Sequence, residues 1–73
     1  GTNPSISLTT GTTYIISNLA SSAHPLQLIR NGQVVTTIAS GETYSLVANS
    51  ETVSDLIYRC EAHSSMTGTF SLN

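Results

Sequence analysis

Three side chains that can bind a soft metal ion lie close together near the carboxyl end of the chain. Cys60, His63 and Met66 supply a thiol, an imidazole and a thioether at three-residue intervals. They can converge on one point if this segment bends back on itself. A second imidazole, His24, lies far upstream, at the start of a segment with strand-like alternation. These four residues form the candidate site.

The four side chains are a donor set with a defined chemistry. Two imidazoles and one thiolate in a near-trigonal arrangement, with a weak axial thioether, are typical of a blue-copper electron-transfer site. Soft sulfur favours Cu(I), whereas imidazole nitrogen suits both oxidation states, and the thiol must lose its proton to bind. The set therefore predicts one copper ion per chain, held by His24, Cys60, His63 and Met66.

Two enzymatic or structural chemistries compete for parts of this set. A cysteine and a histidine can form a nucleophile–base pair, but here the spacing favours both groups binding one ion, and no third, orienting Asp or Asn stands out. A zinc site of two His and one Cys would leave Met66 without a role. We therefore expect that the protein is not an enzyme.

The composition favours a small all-β protein. Ser and Thr supply 23 of the 73 residues, lysine is absent, and the formal net charge is −2. Thr suits strands and Ser suits turns, so this composition favours an all-β protein. Nucleic-acid binding needs a basic face, which a chain with two Arg and no Lys lacks. No apolar run approaches the ~20 residues of a membrane-spanning helix. We expect a single domain over residues 1–73, no nucleic-acid partner and no membrane span.

Short alternating runs separated by turn signals predict the strands that must position the site. The clearest turn is Asn31-Gly32, which suits a type I′ hairpin. Leu56, Tyr58 and Cys60 share one parity and should face one side of a strand. About seven strands in a Greek-key β-sandwich follow, at Ser5–Thr10, Thr13–Asn18, Leu26–Arg30, Gln33–Ala39, Thr43–Val47, Val53–Cys60 and Thr67–Leu72.

The pattern Tyr58-x-Cys60-x-x-His63-x-x-Met66-x-Gly68, preceded far upstream by His24-Pro25, resembles the cupredoxin family of type 1 blue copper proteins. The short Cys-to-Met spacing is similar to that of amicyanin, whereas plastocyanin and azurin have longer loops. The resemblance implies a cupredoxin-like fold and a blue copper site that carries single electrons. In the pattern, Gly68 is expected to help the chain leave the ligand segment.

The resemblance also implies a partner and a location. In the family, the histidine of the ligand segment passes the electron to a docked redox protein. The resemblance assigns this role to His63. It further implies an extracytoplasmic protein, in the periplasm, the thylakoid lumen or on the cell surface, acting as a monomer or as one domain of a larger protein. The alternative is a copper-binding or structural β-sandwich module of a larger protein, without electron shuttling.

Overall fold

The computed structural model describes residues 5–19, 24–61 and 63–73, and for residues 63–66 it describes the backbone only. The described residues form seven strands and one short helix. In chain order the elements are β1 (Ile6–Leu8), β2 (Thr13–Ser17), β3 (Leu26–Arg30), β4 (Gln33–Ile38), β5 (Thr43–Val47), α1 (Ser50–Val53), β6 (Leu56–Cys60) and β7 (His63–Leu72).

The strands form two sheets. The larger sheet has the order β1-β7-β6-β3-β4, in which β1 is parallel to β7 and the other neighbours are antiparallel. The smaller sheet is the antiparallel pair β2-β5. The β3–β4 hairpin, which lies between β2 and β5 in the chain, belongs to the larger sheet. Strands β2 and β5 are therefore neighbours in space although they are distant in sequence, as in Greek-key sandwiches. The prediction of an all-β sandwich with about seven strands is confirmed.

Turn residues explain where the strands reverse. Asn31 and Gly32 have φ values of 50° and 81°, the positive pair that a type I′ turn needs, and they join β3 to β4. Gly41, at φ 81°, lies in the turn from β4 to β5. The predicted turn at Asn31-Gly32 is therefore confirmed.

The core lies between the sheets. Alternation along β6 directs Leu56 and Tyr58 inward, as predicted, and on β7 it places Phe70 and Leu72 against the same cluster. Both sheets and the helix contribute buried side chains: Leu8, Leu28, Ile38, Leu46, Ala48, Val53 and Leu56.

Five predicted strands have different bounds. Two of them, predicted at Thr13–Asn18 and Gln33–Ala39, end one residue earlier, at Ser17 and Ile38, and the other three differ more. The strand predicted at Val53–Cys60 begins at Leu56, because residues 50–53 form helix α1, whose N-cap Asn49 accepts hydrogen bonds from the backbone of Glu51 and Thr52. The last strand begins at His63 and not at Thr67. The first is limited to Ile6–Leu8, where it pairs with β7.

In the described part of the chain, no helix has the length and apolar character needed to cross a membrane.

Candidate metal centre

Several strands end or begin at the end of the sandwich where the candidate residues lie. Leu26, at the start of β3, pairs with Ile38 at the end of β4 and with Cys60 at the end of β6. In the small sheet, the end of β2 at Ser17 pairs with the start of β5 at Thr43. Antiparallel pairing therefore gathers segments that are distant in sequence at one end of the molecule.

The structure brings His24 and Cys60 together at this end. The Cys60 Sγ lies 3.5 Å from the His24 Nδ1. The backbone explains the approach, since the Glu61 N–H donates to the Pro25 carbonyl at 2.9 Å and so extends the β3–β6 ladder beyond Leu26. His24 directly precedes Pro25, and Cys60 directly precedes Glu61, so this hydrogen bond holds the two candidate ligands side by side.

The distance between the two side chains fits two ligands of one metal ion. Metal–sulfur and metal–nitrogen bonds of about 2.3 and 2.0 Å, at tetrahedral to trigonal angles, separate the sulfur from the nitrogen by about 3.5–3.7 Å. The observed 3.5 Å matches that separation. In the metal-free protein the same atoms can share a hydrogen bond, because a thiol is a weak donor and a neutral imidazole carries one acceptor nitrogen.

Burial of this pair is uneven. Cys60 is 8% exposed, whereas His24 is only partly buried. The thiol is therefore shielded from bulk water, whereas the imidazole beside it is partly exposed.

The other two predicted ligands are placed only by their backbone. His63 opens β7, and its Cα pairs with that of Cys60. Register then shifts, since Arg59 pairs with Thr67, so that residues 64–66 are extra on β7 relative to β6. Met66 lies in this extra stretch. The side chains of His63 and Met66 lie outside the described part of the structure. Within the described part, no three His, Cys, Asp or Glu side chains form a possible metal site.

Sequence reasoning missed Asn18, which follows β2. Its side chain is 5% exposed, and its Nδ2 donates to the carbonyls of His24 at 3.0 Å and Ile38 at 2.8 Å. The strand prediction ended at Asn18 but gave it no function. The available signal was a polar residue capable of two donations, six positions before His24.

Gly68 has a different role from the predicted one. It lies within β7, paired with Tyr58, and positive φ values among the described glycines occur at Gly11, Gly32 and Gly41 only. A Cβ at Gly68 would lie 2.1 Å from the Cζ of Tyr58. The absence of a side chain therefore makes room for the Tyr58 ring and does not serve a bend in the backbone.

Comparison with protein-family models, with curated proteins and with solved structures finds no match to this chain. The geometry of the site and the pattern of its residues therefore carry the functional argument.

Proposed function

We propose that this protein binds one copper ion through His24, Cys60, His63 and Met66 and shuttles single electrons between redox partners. The observation that carries the proposal is the 3.5 Å approach of the Cys60 Sγ to the His24 Nδ1, between residues 36 positions apart in sequence. The pairing of His63 with Cys60 across the β6–β7 ladder supports it, because it brings a second histidine to the same end.

The role of each residue follows from its donor atom. Bound copper supplies a one-electron couple between Cu(I) and Cu(II). The Cys60 thiolate is the strong donor, the two imidazoles serve both oxidation states, and the Met66 thioether is the weak one. The protein around them limits rearrangement. Cys60 ends a strand paired on both sides, and the carbonyl of Pro25, the residue after His24, accepts a hydrogen bond from the N–H of Glu61, the residue after Cys60.

The proposal extends to partners and location. We infer that a redox protein docks beside His63 through a small interface, since electron-transfer encounters bury little surface. The resemblance of the ligand pattern to cupredoxins supports this docking and an extracytoplasmic location. It also supports a non-enzymatic role.

The test is reconstitution with copper followed by redox cycling. One equivalent of Cu(II) added to the metal-free protein is expected to give an intense visible thiolate-to-copper band. A mild reductant should remove the band and a mild oxidant should restore it. The Cys60→Ser variant should lose the band because a hydroxyl cannot replace the thiolate, whereas Ser45→Ala, on an exposed position of β5, should keep it.

Three outcomes count against the proposal in different ways. A faint band, or none, in the wild type would show that the four ligands do not converge. An intense band that persists in Cys60→Ser would exclude thiolate ligation. A band that does not return on reoxidation would favour a copper-binding or structural module without electron shuttling.

A further inference from the structure

We propose that Asn18 is a positioning residue of the copper site, which holds His24 where its ring meets Cys60. The copper part of this inference rests on the proposed function, whereas the placement of His24 does not. The observation behind it is that one buried amide joins the segment of His24 to two other elements of the sandwich.

Both amide protons of Asn18 have acceptors at this end of the molecule. The Nδ2 donates to the His24 carbonyl at 3.0 Å and to the Ile38 carbonyl at 2.8 Å. An Asn amide nitrogen carries two protons, so these two bonds use its whole donor capacity. His24 is thereby tied to the end of β4.

The backbone of Asn18 is fixed as well. Its N–H donates to the Glu42 carbonyl at 3.1 Å, and its carbonyl accepts from the Gly41 N–H at 2.8 Å. The residue is therefore anchored to the turn between β4 and β5 before its side chain reaches across to the large sheet. An anchored donor can position what it binds.

Two successive peptide groups next to the site are held by different elements. The His24 carbonyl is held by Asn18, and the Pro25 carbonyl is held by the N–H of Glu61, next to Cys60. Pro25 also fixes its own φ and favours an extended conformation at His24. Loss of the Asn18 bond would remove one of these two anchors of the His24–Pro25 segment.

The role requires an amide. Aspartate has the same shape, but its carboxylate only accepts hydrogen bonds and would face two carbonyl oxygens. Serine retains one donor and is too short to reach both acceptors. We therefore expect Asn18→Asp to disturb His24 strongly and Asn18→Ser to disturb it less.

The experiment compares Asn18→Asp and Asn18→Ser with Asn49→Ala. Asn49 caps α1, and its replacement also removes two hydrogen bonds, at the other end of β5 from Glu42. In the metal-free proteins, NMR measures the nuclear Overhauser contact between the His24 ring and the Cys60 β-protons. Competition with a chelator then measures Cu(I) affinity.

The Asn18 variants should lose or weaken the His24–Cys60 contact, and their copper affinity should fall by about 10- to 100-fold, as for other residues that orient a ligand. Asn49→Ala should lose stability but keep both the contact and the affinity. If Asn18→Asp does not fold, Asn18→Ser carries the test.

Two results would overturn the inference. One is an intact His24–Cys60 contact in the folded Asn18 variants. The other is a loss of copper affinity no larger than in Asn49→Ala. If the wild type binds no copper, the proposed function fails, and the NMR measurement on metal-free protein still tests the placement of His24.

Discussion

Tyr58 and Gly68 make a side chain-to-backbone contact two residues before Cys60. They pair across β6 and β7, and the tyrosine ring occupies the space where a Cβ of Gly68 would lie. The ring also packs edge-on against Phe70, with the centroids 5.3 Å apart. The Tyr58 ring therefore packs across the strand pair that carries Cys60 and His63.

We predict that Gly68→Ala lowers the free energy of unfolding by about 1–3 kcal/mol, the usual cost of overpacking. The new methyl group would displace the Tyr58 ring, which it would otherwise approach to 2.1 Å. Denaturant titration of the metal-free protein measures the effect. Thr69→Ala, at the exposed next position, is the control, and equal stability of the two variants would contradict the prediction.

Tyr14 is the residue whose ionisation should report on the fold. Its hydroxyl oxygen accepts the Thr9 N–H at 2.8 Å, and this bond lowers the pKa of Tyr14 below its ordinary value of 10.0, because it favours the phenolate. A lowered pKa in the folded state gives stability that is complete above the unfolded pKa and is lost as the pH falls through the folded one.

We therefore predict that the stability difference between wild type and Tyr14→Phe shifts in favour of the wild type as the pH rises toward 10.0 and above. Denaturant titration at a series of neutral to alkaline pH values measures this difference. A difference that stays constant with pH would contradict the assignment.

Helix α1 reverses the chain between β5 and β6 with side chains bound at both of its ends. Asn49 caps its start, and the Arg30 side chain from β3 donates to the carbonyls of Ser54, at 3.0 Å, and of Thr52. Asp55 then enters β6 from a left-handed conformation, with φ 58°. Helix α1 and Asp55 together form the connection that leads into β6 at Leu56.

We predict that Asp55→Val lowers the free energy of unfolding by about 1–2 kcal/mol, because a β-branched residue is strained in the left-handed region. Asp55→Gly should change it little, since glycine adopts positive φ without steric cost. Thermal or denaturant unfolding of both variants measures the difference. Equal losses would show that the Asp55 carboxylate matters and the backbone conformation does not.

Elements differed in how well the sequence predicted them, for physical reasons. The predicted bounds of β3 and β5 were correct, because turn residues flank alternating runs at Asn31-Gly32 and at Gly41. Helix α1 was missed, since four residues are too few for a helical period and Val53 favours strands. Its cap, formed by Asn49 and Thr52, was the available signal.

The site was predictable as a set of residue types but not as a geometry. Donor chemistry identified His24 and Cys60 as candidates, whereas their contact depends on the strand register that pairs Leu26 with Cys60. The burial of Asn18 depends on the packing of two sheets, which alternation along one strand does not reveal. Metal ligation by His24, Cys60, His63 and Met66 stays a prediction.

The hydrophobic core of this 73-residue chain is small, so its burial offsets the conformational entropy lost on folding only narrowly. An apolar cavity of about 340 Å³, partly open to solvent and bordered by Leu8, Leu28, Leu46, Tyr58 and Phe70 among others, lies between the two sheets. Small domains bury a low fraction of their surface, and a cavity reduces the packing further. A bound metal ion that joins β3, β6 and β7 would offset part of this deficit.

We predict that copper raises the free energy of unfolding by about 2.7 kcal/mol when free Cu(I) is 100-fold above its dissociation constant. The gain arises because the ligands are gathered in the folded chain and dispersed in the unfolded one, where any residual binding would reduce it. Denaturant titration with buffered Cu(I) measures this gain. Cys60→Ser should lose most of it, whereas Asn49→Ala should start from a lower stability and keep the full increment. An equal increment in Cys60→Ser would mean that copper binds elsewhere, and no increment in the wild type would mean that the folded chain does not assemble the site.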